Sequence, residues 1–187
     1  MKIRFLLFLS LCTILLIPFF TITSCSKAKQ LSAFDVVYTL PKVYFSYTVK
    51  NLKLPEVTIY TGKLSINLDS ILSANNFPSG VIASAYLSRL AMVITAPPGA
   101  TFNWLKSVRM VGSADSTFLH PTDLGSDTLI DPNATTIDLA LKNVDIKPIL
   151  FKNNFYLKIF ATPSGQIPAS SINMYLDSQI KLHIEPL

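Results

Sequence analysis

The sequence predicts an all-β protein, a single antiparallel β-sandwich of immunoglobulin-like or jelly-roll type, behind an apolar leader at residues 1–24. Three observations lead there. Beyond residue 25, apolar and polar residues alternate with a period of two, and no helical period lasts more than about two turns. The segment Val81–Thr95 is apolar on both faces, as a long central strand of a sandwich is. The prolines Pro41, Pro55, Pro78, Pro97, Pro98, Pro121, Pro132, Pro163 and Pro168 fall between the apolar runs, where a residue without a backbone N–H does least harm to a ladder.

In Lys42–Lys50, Val43, Phe45, Tyr47 and Val49 share one face and Ser46 and Thr48 the other. Val57 and Ile59, then Leu64, Ile66 and Leu68, repeat the pattern on either side of Thr61-Gly62, which reads as a hairpin turn or a bulge. Asp69 is placed to cap a short helix over Ser70–Ala74, and Thr101 to cap a turn over Phe102–Lys106 that packs Phe102, Trp104 or Leu105 across the end of the sandwich. Val108–Val111, Thr135–Leu141, Asn154–Ala161 and Ile172–Ile184 supply further strands, and Gly112–Asn133 reads as a loop. The sandwich is expected over residues 36–187, with roughly seven to nine strands, no internal repeat and no second domain.

Composition narrows the function. The chain has 187 residues, of which 50% are hydrophobic and 14% charged, and much of the apolar excess lies in the leader. Lys2 and Arg4 also belong to the leader, which leaves 14 basic against 11 acidic residues, a net +3. The remaining lysines are scattered singly, with no run suited to a phosphate backbone, so no nucleic-acid partner is expected. The two cysteines are Cys12 and Cys25, so the sandwich itself has neither a disulfide nor a thiolate metal site.

The first 24 residues have the order of an export signal: Lys2 and Arg4, an apolar run over Phe5–Phe20, then a short polar stretch over Thr21–Ser24. The run is short for a spanning helix, Pro18 interrupts its end, and no Ala-x-Ala cleavage site follows. Ile22-Thr23-Ser24-Cys25 resembles the lipobox of bacterial lipoproteins, with Ile in place of the commoner Leu and Thr-Ser in place of Ala-Gly. The resemblance implies cleavage between Ser24 and Cys25, with a diacylglyceryl group and an N-acyl chain on Cys25 as the covalent lipid, and no other cofactor. At about 0.8 kcal/mol per buried methylene, such an anchor is essentially permanent. It implies a tether over residues 25–35 and, through Ser26, location at the outer membrane, on its periplasmic or its exterior side. The ending Thr-Ser-Cys-Ser-Lys is similar to that of Bacteroidota-type lipoproteins. In those bacteria the triplets Asp69-Ser70-Ile71, Asp115-Ser116-Thr117 and Asp127-Thr128-Leu129 imply O-glycosylation at Ser70, Ser116 and Thr128.

Catalytic groups are sparse. His120 and His183 have no His, Cys or carboxylate at a metal-ligand spacing, and neither a Gly-x-Ser-x-Gly elbow nor a phosphate-binding Gly loop occurs. Asp115, Asp123, Asp127 and Asp131 gather oxygen ligands of the kind Ca²⁺ needs, but their spacing fits no calcium loop and Asp also forms turns. Tyr38, Tyr44, Phe45, Tyr47 and Tyr60, and later Phe151, Phe155, Tyr156 and Phe160, suit a core first and an exposed sugar-binding face second.

The sequence therefore points to a non-enzymatic lipoprotein, a binding or assembly module for an envelope protein or glycan. A carrier of a lipid or other apolar ligand in a sandwich cavity is the alternative. A hydrolase comes third, because it needs His120 beside a carboxylate and a hydroxyl.

Overall fold

The computed structural model describes residues 33–48, 55–74, 82–151, 155–165 and 171–185, and for Asp69 the backbone only. Its strands are β1 (Phe34–Thr39), β2 (Val43–Tyr47), β3 (Val57–Leu64), β4 (Ile82–Ala96), β5 (Leu105–Ser113), β6 (Thr122–Asp127), β7 (Thr136–Asp138), β8 (Ala140–Leu141), β9 (Phe155–Pro163) and β10 (Ile172–Ile184). Two short helices, α1 (Leu68–Ala74) and α2 (Lys147–Leu150), and a 3-10 turn at Phe102–Trp104 complete the described elements. One sheet has the order β1-β10-β4-β7, with β2 also paired to β10, and the other the order β3-β9-β5-β6-β8. The antiparallel pairs β2–β10, β3–β9, β4–β7 and β5–β6 wrap in turn around one core. That is the connectivity of a jelly roll rather than of an immunoglobulin domain.

Period two sets which side chains meet. Along β10, Ile172, Met174, Leu176, Ile180, Leu182 and Ile184 are buried, while Tyr175, Asp177, Lys181 and His183 stand on the outer face. Along β9, Phe155, Leu157, Ile159 and Ala161 point inward between the outward Tyr156, Lys158 and Phe160. Phe102, Trp104, Met92 and Met110 are fully buried between the two layers, each such side chain adding roughly 1.5–3 kcal/mol of apolar burial. Strand β4 lacks strict alternation for a reason visible in its register. Gln179 faces Arg89 and Ile180 faces Leu87, so Ser88 is an extra residue in a bulge that shifts the inward positions.

Several expectations are revised. Thr61-Gly62 is neither a hairpin turn nor the bulge itself: β3 runs straight through it, and the irregularity of register lies at Ile59, between Thr58 and Tyr60. At Gly62 the Tyr60 ring lies across the space a Cβ would fill. Ile66 and Leu68 are buried beyond the end of the strand, in the loop and in α1. Helix α1 is capped not by Asp69, which lies inside it, but by Asn67, whose Oδ1 accepts the Ser70 N–H at 2.9 Å. Thr101 makes no side-chain cap, and the chain enters β5 directly at Leu105. The expected loop Gly112–Asn133 contains strand β6, and Gly112 itself belongs to β5. The expected strand Thr135–Leu141 divides at Leu139, with β7 on one sheet and β8 on the other. Strand β1 starts at Phe34, two residues before the expected domain boundary, and Pro163 ends β9 within its ladder.

Candidate functional site

The two long sides of the sandwich differ. On one, the β7–β8 segment passes from sheet to sheet: Leu139 donates its N–H to Leu90 O at 2.9 Å, and Lys142 donates to Leu124 O at 2.9 Å. On the other, edge strand β2 of one sheet lies against edge strand β3 of the other. Pro41 interrupts the first edge between β1 and β2, where only the Leu40 N–H, 2.9 Å from Ser178 O, holds the chain to β10. The second edge leaves its sheet after Leu64. A groove of about 320 Å³ opens between them, lined by Leu40, Pro41, Lys42, Val43, Lys63, Leu64, Ser65 and Ile66. Above the groove the seam is filled by aromatic contact, with Phe45 and Tyr60 centroids 4.9 Å apart and Tyr47 stacked on Trp104 at 5.5 Å. Burial raises the pKa of both Tyr47 and Tyr60.

The outer face of the β10 sheet is a lattice of charge pairs. Because Asp35 is registered opposite His183, its carboxylate lies 2.8 Å from His183 Nδ1 and 3.3 Å from Lys181 Nζ. The His183 hydrogen bond is the main reason the Asp35 pKa is lowered; partial desolvation opposes it and the Lys181 contact assists. Arg89 reaches Asp177 at 3.3 Å and Asp138 at 3.7 Å. Lys42 Nζ stands 4.2 Å from the Tyr175 ring centroid, and Tyr44 packs against the same ring at 5.5 Å. On the other sheet Arg109 lies over Phe160 at 4.4 Å and pairs with Glu56 at 3.2 Å, and Lys158 lies over Phe118 at 4.3 Å. These pairs stand on exposed sheet faces, where solvent screening keeps such contacts weak.

The acidic residues of 112–133 do not converge. Asp115 closes a turn: it accepts hydrogen bonds from the Thr117 hydroxyl, the Thr117 N–H at 2.9 Å and the Ser113 hydroxyl at 3.0 Å. The Thr117 hydroxyl is the largest influence holding the Asp115 carboxyl down to about 2, with Ser113 and the backbone N–H groups of Thr117 and Leu119 assisting against partial desolvation. Asp127 accepts from the Leu129 N–H and Asp131 from the Asn133 N–H, both at 2.9 Å, while Asp123 is exposed on β6. Among the described residues no group of three or more His, Cys, Asp or Glu side chains is placed to hold a metal.

Cys25 and Ser24 lie outside the described residues. Ser70, Ser116 and Thr128 are all exposed. His120 is exposed and, among the described residues, has no hydrogen bond to a carboxylate; the histidine that has one is His183. Of the aromatics, Phe155 is buried, Tyr38, Phe45, Tyr47 and Tyr60 pack against the core, and Tyr44, Tyr156 and Phe160 stand on outer faces. Sequence reasoning did not find the groove, because its two walls come from separate edge strands.

No family model matches the chain, and no curated protein does. Among solved structures it is similar to a chain of Desmodium yellow mottle tymovirus, with 18% identity, 82% of this chain and 84% of that one covered, and a TM-score of 0.32. It is also similar to a chain of mud crab tombus-like virus, with 12% identity, 83% and 90% covered, and a TM-score of 0.32. For turnip yellow mosaic virus the identity is 16%, the coverage 83% and 96%, and the TM-score 0.26. At such scores the likeness carries no conclusion about this chain.

Proposed function

We propose that the protein is an exported lipoprotein, anchored at the outer membrane through lipidated Cys25, whose jelly roll is a non-catalytic binding or assembly module of the cell envelope. The anchor rests on Ile22-Thr23-Ser24-Cys25 at the end of the apolar leader. The observation that carries the binding role is the seam groove, a mostly apolar concavity between two edge strands whose lining includes Lys42 and Lys63. Its partner in the envelope is a protein or a glycan. Exposed Ser70, Ser116 and Thr128 suit O-glycosylation of the exported chain.

The test combines the anchor with the groove. A photo-cross-linking residue in place of Lys63 is expected to give one discrete adduct in intact envelopes, and the same residue in place of Leu129, at the opposite end, none. The Cys25→Ser variant is expected to retain its leader, to carry no lipid and to lose that adduct. No adduct at position 63, or adducts equal at both positions, contradicts the binding role. A wild-type chain that carries no lipid on Cys25 contradicts the anchor.

One observation favours a second reading, a carrier of a small apolar ligand. The groove volume of about 320 Å³ lies at the lower end of the range of ligand pockets, whereas the space between the sheets is filled by Trp104, Phe102, Met92 and Met110. Native mass spectrometry of the detergent-released full chain separates the two readings. A non-covalent mass lost on denaturation supports the carrier, and a bare lipoprotein mass removes it.

A further inference from the structure

We infer that one end of the jelly roll, the end at which β1 begins, is a membrane-contacting face that rests on the lipid headgroups; the inference builds on the Cys25 anchor proposed above. Covalent geometry ties the two together. Only residues 26–33 separate Cys25 from Phe34, so the start of β1 stays within about 30 Å of the lipidated sulfur however the intervening chain runs.

The register identifies what shares that end. Phe34 pairs with Ile184, and Ile184 with Ile82, so β1 starts, β10 finishes and β4 starts side by side. The segment that leads into α2 folds across the same place. Ile146 N–H donates to Ala85 O at 2.8 Å, Asp145 Oδ1 accepts the Ala85 N–H at 2.9 Å, and Lys147 Nζ donates to Ala83 O at 3.2 Å. In the facing sheet β9 begins, β5 and β3 end and β6 begins at this level, since Phe155 pairs with Leu64, Tyr156 with Ser113, and Gly112 with Thr122.

Single exposed apolar residues are ordinary on a protein surface, so clustering is what matters. Of the seven exposed large hydrophobic residues in the described chain, four stand at this end: Phe34 at 41%, Leu119 at 75%, Val144 at 37% and Phe151 at 44%. They come from four separate segments, and no single helix or strand pattern requires their exposure. Lys147, whose Nζ also donates to Ala83 O and lies 5.7 Å from the Phe151 ring centroid, and exposed Lys142 stand among them, against the exposed acids Glu185 and Asp123. The Asp35 and Asp145 carboxylates are already engaged, by His183 and Lys181 and by two backbone N–H groups. Aromatic and aliphatic tips beside lysines are the combination that settles into an anionic headgroup layer, the rings at the acyl boundary and the ammonium groups among phosphates. Held by the tether, this end meets such a layer without any further partner.

The experiment uses the full lipidated chain added to preformed vesicles of phosphatidylethanolamine and phosphatidylglycerol. Cys25 is blocked by its thioether, so Phe151→Cys, Val144→Cys and, at the opposite end, Leu129→Cys each offer one thiol to a membrane-impermeant maleimide. The thiols at 151 and 144 are expected to react several-fold more slowly than the one at 129 on vesicles, and at matching rates once the vesicles are dissolved in detergent. Equal rates on vesicles overturn the inference and leave the anchor standing. Protection that appears only in native envelopes and not on pure lipid also overturns it, in favour of a protein partner. A chain that carries no lipid and does not float with the vesicles overturns the anchor and this face with it.

Discussion

Asp115 accepts hydrogen bonds from the hydroxyls of Thr117 and Ser113 and from backbone N–H groups, and these contacts favour its ionised form. The folded-state pKa, about 2, lies below that of the unfolded chain, so the stabilisation is present above the ordinary carboxylate range and is lost as the pH falls through about 2. A carboxyl NMR titration is expected to place the Asp115 midpoint near that value, and Asp115→Asn to flatten the acid limb of stability between about pH 4 and pH 2. A midpoint at the usual position contradicts the turn. At this scale the sequence was half legible. Turn formation by Asp was readable at Asp115, Asp127 and Asp131 because the partner is only two residues away. The contact of His183 with Asp35 joins residues 148 apart and depends wholly on the β1–β10 register, which no local pattern encodes.

Strands that are long and alternate were legible; short or polar ones were not. Ile172–Ile184 announces itself because seven alternate positions face the core, with Ser178 as the one polar member. Strand β6, Thr122–Asp127, buries only Leu124 and Gly125, so its sequence reads as a loop. Gly125 explains how so polar a strand fits. A Cβ there would stand 2.8 Å from Ala140 O and 3.3 Å from the Leu141 Cα, both backbone atoms of β8. Gly125→Ala is therefore expected to force β8 off β6 and to destabilise by roughly 1–3 kcal/mol in urea unfolding. Gly62→Ala is expected to cost less, because its nearest obstacle is the ring of Tyr60, a side chain that can swing aside. Equal losses at the two positions contradict this account of β8. The groove belongs to the same scale and was hidden for the same reason. Pro41 was read correctly as an interruption, but that the end of β3 faces it across the seam follows only from the topology.

For the whole molecule the sandwich was foreseeable from alternation, and the choice of jelly roll over immunoglobulin-like came only from the order of strands. Pairing the first strand with the last places Phe34 beside Ile184, so β1 begins at one end of the domain, opposite the Leu129 loop. On the proposed reading, a lipid on Cys25 would set which end faces the membrane, and Lys63 and Leu64 place the β3 side of the seam groove near that same end. This arrangement depends on one covalent event, cleavage before Cys25 with acylation of its thiol. The most direct measurement is the intact mass of the chain extracted from envelope membranes. The account predicts a polypeptide of residues 25–187 carrying a diacylglyceryl group and an N-acyl chain, with the added mass on the peptide that begins at Cys25. A chain that retains Met1–Ser24, or one that begins elsewhere and carries no lipid, contradicts it.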